Sequence, residues 1–248
     1  AACCGVLGLK PTYGSVSRAG AYLFSASLDH IGPFARSVRD IAHAFDVLQG
    51  YDPRDPVSST RPVSPCVPAL DRGIDGMRLA IATDHFDQGM TPPVRAELDR
   101  IAQSLQVTER IVLPESARAR AAAYLITATE GSNLHRDNLR QRPQDFDPAT
   151  RDRFLAGAML PATWYVQAQR FRQWYRDQVL SLFQDVDVIL APTIPCPAPP
   201  LGQTTMMLDG VETKIRPHLG LYTQPLSFIG LPVLSFPIRQ SEPLPIGV

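Results

Sequence analysis

Lysine is scarce in this sequence. Of the 24 basic residues only Lys10 and Lys214 are lysines; the rest are arginines. Either could serve as base toward a serine, as in hydrolases where a neutral lysine deprotonates a hydroxyl directly or through a second one. Neither has an S-x-x-K context: Lys10 precedes Pro11 in a buried-looking strand, and Lys214 sits in an irregular polar stretch. The histidines at 30, 43, 85, 135 and 218 are scattered, and no G-x-S-x-G elbow accompanies them. His43 falls in a predicted helix and reads as a packed or surface residue. His30, in "LDHIGP", stands beside a turn with no marked nucleophile. "GVLGLKPT" looks like a phosphate loop, but Leu9 separates Gly8 from Lys10 and Pro11 removes an N–H, which breaks the pattern. Cys3, Cys4, Cys66 and Cys196 lack zinc spacing and read as free thiols of a reducing compartment. His135 and Asp137 are neighbours without further ligands, so no metal is expected. The residues alone therefore assemble no complete catalytic set.

Composition narrows the field further. The 248 residues are 44% hydrophobic with zero formal net charge, an ordinary globular balance without the basic footprint of a nucleic-acid binder. No run approaches the ~18 apolar residues of a membrane span, and no secretion signal is visible.

The elements that must position any site follow from pattern. Residues 5–12 read as a buried strand ended by Pro11. "SVRDIAHAFDVLQG" reads as a helix with Ser37 and Asp40 as a capping box, Ile41, Phe45 and Leu48 on one face, and Gly50 as its stop. Residues 51–75, rich in Pro, Ser and Asp, read as a surface crossover. "MRLAIAT", "PPVRAELDRIAQSLQ" and "ERIVLP" give strand, helix and strand, a βαβ unit. Residues 116–184 are mostly helical, with Trp164, Ala168, Phe171, Tyr175, Val179 and Leu182 as one apolar stripe. "VDVILAPT" has the continuous apolar character of a central strand. Residues 192–217 read as irregular, and "SFIGLPVLSFPI" as another strand.

The ordered stretches "CGVLGLKPTYGSVSRAG" and "SLDHIGPFARSVRD" resemble the amidase signature family, and "VDVILAPT", "TQPLSFIGLPVLSFPI" and "LPIGV" follow in the family's order. The resemblance implies an α/β fold with a mixed central sheet flanked by helices, residues 1–248 being the C-terminal part of a single amidase domain. It implies hydrolysis of a C–N amide bond by acyl transfer through a Ser–cis-Ser–Lys triad, without metal or organic cofactor. The family's nucleophilic serine, bridging serine and lysine would lie upstream of Ala1, so no catalytic residue is assigned within the chain, and Lys10 takes a structural role. A chain without those strands would expose sheet edges and be poorly soluble or molten.

By the same resemblance, the pocket that grips the substrate in the family's glutamine-using members maps to Arg153, with Asp137 near a tyrosine position and Gly220 where an acid would stand. Tyr222 and Thr223 complete the candidate substrate pocket. Arg153 reads two ways: a guanidinium for a substrate carboxylate, or a helix-surface ion pair. "ITATEGSNLHRDNLR", "FDPATRDRFLAGAMLPATWYVQAQRFR" and "RPHLGLYTQPLSFIGLPV" look most like the carboxybiuret-hydrolase-type branch, in which the enzyme has a small partner subunit. Three readings stand: an amidase acting on a small, carboxylated amide in the cytoplasm, with no nucleic acid and no membrane; the glutaminase component of a tRNA-linked amidotransferase; and a non-catalytic truncated chain.

Overall fold

The computed structural model describes residues 1–238 and 244–248. Strand β1 (Leu7–Lys10) ends at Pro11, which has no N–H for a ladder. It pairs antiparallel with β2 (Phe34–Ala35). Helix α1 (Val38–Leu48) follows, and Ser37 caps it by accepting the Asp40 N–H at 3.1 Å, so the capping signal reads correctly. Ile41 is buried but Leu48 is exposed, and the expected apolar face is covered only in part. The crossover 51–75 is irregular apart from a 3-10 turn at Val67–Arg72. A buried ion pair ties it down: Arg18 Nη2 and Nε meet the two Asp55 carboxylate oxygens at 3.0 and 3.1 Å.

The βαβ expectation holds. Strand β3 (Leu79–Ala82), helix α2 (Pro92–Ser104) and strand β4 (Arg110–Ile111) follow in order, and β3 and β4 are parallel. Four helices come next: α3 (Ser116–Leu134), α4 (Arg136–Gln141), α5 (Pro148–Ala158) and α6 (Ala162–Leu182). On α6 the stripe buries Ala168, Tyr175 and Val179, whereas Trp164 in the first turn is 52% exposed. Strand β5 (Val188–Leu190) pairs parallel with β3. Within this three-stranded ladder β3 is central and β5 outermost, and Val188 at the start of β5 is exposed whereas Leu190 is buried.

The stretch 192–217 is not wholly irregular. It contains a hairpin of β6 (Thr205–Leu208) and β7 (Val211–Lys214) around Asp209–Gly210, both with positive φ (49° and 77°). Asp-Gly is the pair that such a turn favours. Short helices α7 (Ile215–His218) and α8 (Thr223–Ser227) follow, and residues 228–232 at the front of the expected strand are a turn and irregular chain. Strand β8 (Val233–Ser235) pairs with β1, and β9 (Pro237–Ile238) pairs with β10 (Ile246–Gly247).

Hydrogen bonds join these ladders. Phe236, between β8 and β9, and Val248, just after β10, exchange N–H···O bonds at 2.9 and 3.1 Å that extend the β9–β10 ladder toward β8, and the Thr193 N–H beyond β5 reaches the Gly247 carbonyl at 2.9 Å. The result is the expected α/β arrangement, with antiparallel and parallel strands flanked by helices. The main core gathers Phe86, Leu113, Ile126, Tyr175, Tyr222 and Phe228 between β3, α3, α6 and the α8 segment. Such side chains each contribute ~1.5–3 kcal/mol on burial.

Two glycines set the distance between α3 and α5. A Cβ at Gly157 would lie 2.2 Å from the Ala128 carbonyl oxygen, and one at Gly131 would lie 2.0 Å from the Phe154 ring. The helices therefore touch backbone to side chain and backbone to backbone, which brings α5 close enough for its side chains to reach across α3.

Candidate functional site

That approach places Arg153, one turn before Gly157, against α3. Its Nη2 donates to the Thr127 hydroxyl, and its guanidinium carbon lies 4.0 Å from the Tyr124 ring centroid and 5.3 Å from that of Phe24. Its Nε is buried without a hydrogen-bond partner. Among the described residues no carboxylate forms an ion pair with it, which removes the surface ion-pair reading. Burial, with Arg216 nearby, pulls the guanidinium below its usual value without threatening its charge.

Arg153 lines a cleft of about 210 Å³ together with Phe24, Tyr124, Phe228, Gln224 and Asp29. The exposed wall is mostly apolar surface, with Asp29, Thr127, Arg153, Gln224 and Ser227 supplying polar groups, a mixture that suits a small-molecule site. Asp29 Oδ2 accepts the N–H groups of Phe24 and Ser25, the latter at 2.9 Å, and so closes the turn that carries the wall. Gln224 is held through its Oε1, which accepts from Arg120 Nε at 2.9 Å.

A second layer fixes that wall. The Glu130 carboxylate of α3 accepts from Ser25 Oγ (2.5 Å), Ser27 N (2.9 Å), Ser27 Oγ (2.6 Å) and the Tyr165 hydroxyl (2.9 Å). Burial alone would raise this carboxyl, but those hydrogen bonds hold it below the ordinary glutamate range. Arg172 of α6 donates to the carbonyls of Phe228 (2.7 Å) and Ser27 (2.9 Å), so one guanidinium fastens both sides of the cleft.

The other sequence candidates are dispersed. Gly220 lies beside Gln224, and Thr223 opens α8 without lining the cleft. Tyr222 is fully buried, stacked on Phe86, and its hydroxyl donates to the Gln88 carbonyl at 2.5 Å. Asp137 is exposed and paired with Arg136 at 3.3 Å. Only Arg153 of the five lines the cleft; Phe24, Asp29, Tyr124, Gln224 and Phe228 were not anticipated. Asp29 sits in the quoted "SLDHIGP" and Gln224 in "TQP", but a glutamine or aspartate carries no local sequence mark of facing a cavity.

Among the described residues Lys10 has no serine partner. Its Nζ donates to the Leu231 carbonyl and lies 3.4 Å from His30 Nε2, while His30 Nδ1–H donates to the Leu28 carbonyl at 2.6 Å. Burial lowers Lys10 to about 8, and burial together with the Lys10 charge lowers His30 to about 4. Among the described residues no group of three or more His, Cys, Asp or Glu side chains could hold a metal ion, and no helix is long and apolar enough to cross a membrane.

Comparison with known proteins places this chain of helix-flanked sheets. It belongs to the Amidase family, whose model matches residues 1–248. It is 46% identical over 250 residues to AtzE, the 1-carboxybiuret hydrolase subunit of Pseudomonas sp. (strain ADP), covering 100% of this chain and 55% of that protein. The A component of the glutamyl-tRNA(Gln) amidotransferase of Nitrosococcus oceani is 32% identical, over 100% of this chain and 56% of its own length. A solved structure of an s-triazine catabolic enzyme in a vestigial protein complex superposes with a TM-score of 0.95 at 45% identity, over 99% of this chain and 54% of that one. The chain thus spans about half the length of the relatives it matches.

Proposed function

We propose that this chain builds the acyl-pocket half of an amidase that hydrolyses a C–N bond in a small, carboxylated amide. The observation that carries the reading is Arg153: a half-buried guanidinium on the cleft wall, stacked on Tyr124, with no ion-paired carboxylate among the described residues. A planar cation so placed suits a substrate carboxylate, which would take the donors the protein leaves open. Thr127, Tyr124 and Phe24 keep the guanidinium in its plane. The Ser–cis-Ser–Lys set belongs, on this proposal, to the part of the family's length that the chain does not span. There a neutral lysine would draw the bridging serine's proton as that serine deprotonates the nucleophile, and the acyl-enzyme would be hydrolysed by water. The first product is the amine or ammonia, the second the carboxylic acid, and no cofactor enters.

Glutamine is the less favoured substrate. Gly220 offers no acid, and the cleft's Asp29 is engaged by backbone N–H groups through Oδ2. The likeness to a protein called a hydrolase subunit, and to an enzyme solved in a protein complex, supports a small partner subunit. Free thiols and neutral charge support a cytoplasmic setting without nucleic acid.

The test is hydrolysis by the intact protein of 1-carboxybiuret against L-glutamine, with product ammonia measured. The proposal expects turnover of the first, little of the second, and loss of the first in Arg153→Gln. Glutamine turnover at the higher kcat/KM would move the protein to the amidotransferase reading. The 248 residues alone are expected to turn over neither.

A further inference from the structure

We infer that Gln224 is the selectivity residue of the cleft, presenting its carboxamide N–H group to a carbonyl oxygen of the ligand whose carboxylate Arg153 holds. The inference rests on the anchoring role proposed for Arg153. An amide side chain can offer either an acceptor or a donor, and here the choice is made by the protein. Arg120, a cation with no acceptor capacity, donates from Nε to Gln224 Oε1 at 2.9 Å and from Nη2 to the Pro217 carbonyl. The carbonyl end of Gln224 is therefore occupied, and its Nε2 is the end left for the cleft that Gln224 lines.

The neighbouring backbone makes room for this arrangement. A Cβ at Gly220 would stand 2.9 Å from both Cδ and Nε2 of Gln224. A side chain at position 220 and the carboxamide of Gln224 thus compete for one volume, and the glycine settles the contest in favour of the neutral donor. The cleft then presents two donors of different kind, the Arg153 guanidinium and the Gln224 NH2, with Arg120 behind the latter. The matching ligand is an acceptor-rich anion: a carboxylate with a planar carbonyl, as in an N-carboxyl or N-carbamoyl amide. An α-ammonium at the same place would face an N–H group and a guanidinium, while the lining carboxylate of Asp29 is engaged through Oδ2 by the Phe24 and Ser25 N–H groups. Rejection of a ligand that leaves or opposes a directed polar group is a strong source of discrimination.

The experiment is calorimetric titration of the intact protein with N-carbamoylglycinate, which carries a carboxylate and a urea carbonyl, and with L-glutamine, which carries a carboxylate and an ammonium. The wild type is expected to bind N-carbamoylglycinate more tightly. Gln224→Glu keeps the Arg120 contact and the side-chain shape while replacing the donor with an anion. It is expected to lower the affinity ratio of the two ligands at least tenfold without changing the melting temperature. Arg120→Gln, which frees the carboxamide to turn over, is expected to lower the ratio by a smaller factor. An unchanged ratio in Gln224→Glu, with Arg153→Gln still abolishing N-carbamoylglycinate binding, overturns the inference and leaves the anchoring role standing. Undiminished binding in Arg153→Gln, or no binding by the wild type, overturns both.

Discussion

The Arg153 guanidinium carbon sits 4.0 Å from the centre of the Tyr124 ring, one helix reaching across to the aromatic face of another. The contact fixes the plane of the cation before any ligand arrives. Arg153→Lys keeps the charge but loses the fork, and is expected to weaken binding of an anionic ligand by 10- to 100-fold, the equivalent of about 1.5–3 kcal/mol for a charged hydrogen bond. Tyr124→Leu removes only the stacking and is expected to cost about 0.5–1 kcal/mol. Calorimetry with N-carbamoylglycinate measures both.

Gly157 leaves no room for a methyl group, since the Ala128 carbonyl oxygen already occupies the site. Gly157→Ala should lower the urea midpoint by the equivalent of about 1–3 kcal/mol, although alanine is the better helix former. A neutral or stabilising effect would mean that α5 and α3 separate easily.

Arg18 and Asp55 form a two-pronged pair whose side chains are 4% and 3% exposed. Asp55→Asn leaves the guanidinium buried without its counter-charge, for an expected loss of about 3–5 kcal/mol. The hydrogen bond from Arg18 also holds the Asp55 carboxyl at about 2, below its ordinary value. Its share of stability is therefore complete above the unfolded pKa of ~3.9 and lost as pH falls through about 2. Chemical denaturation of wild type and variant from pH 6 to pH 2 should converge at the acid end.

His30 titrates in a different window. Burial, then the Lys10 charge, depress it from 6.5 to about 4, and Arg18 and Arg172 add to that effect. The unfolded chain binds the extra proton between those values, so stability rises with pH from about 4 to 6.5 and falls on acidification. His30→Gln should flatten this slope in urea midpoints taken from pH 7 to pH 4; a slope equal to wild type would show that His30 carries none of it.

Local signals reported local structure well. Ser37 and Asp40 announced α1, Pro11 the end of β1, and the spacing of Ala168, Tyr175 and Val179 the buried face of α6. The Asp209–Gly210 turn was missed: the prolines at 192–200 made the whole stretch 192–217 read as irregular, although Asp-Gly is a pair that favours the positive φ both residues take. Sheet order was not legible, because an apolar run such as that of β5 does not state how many neighbours it has. For the cleft, Arg153 came through family resemblance, but Gln224, Asp29 and Glu130 owe their roles to partners far along the chain. Glu130 meets Ser25 across 105 positions and Arg120 meets Gln224 across 104, separations to which no residue pattern is sensitive.

Arg153 and Gln224 reach one cleft on separate supports, the first through the Gly157–Ala128 helix contact, the second through Arg120. On the roles proposed for them, anchor and discriminator can therefore change independently during descent. A substitution at Gln224 or Gly220 can redirect the choice of amide while the grip on the carboxylate persists, so a lineage can explore new substrates by single steps without first abandoning the old scaffold.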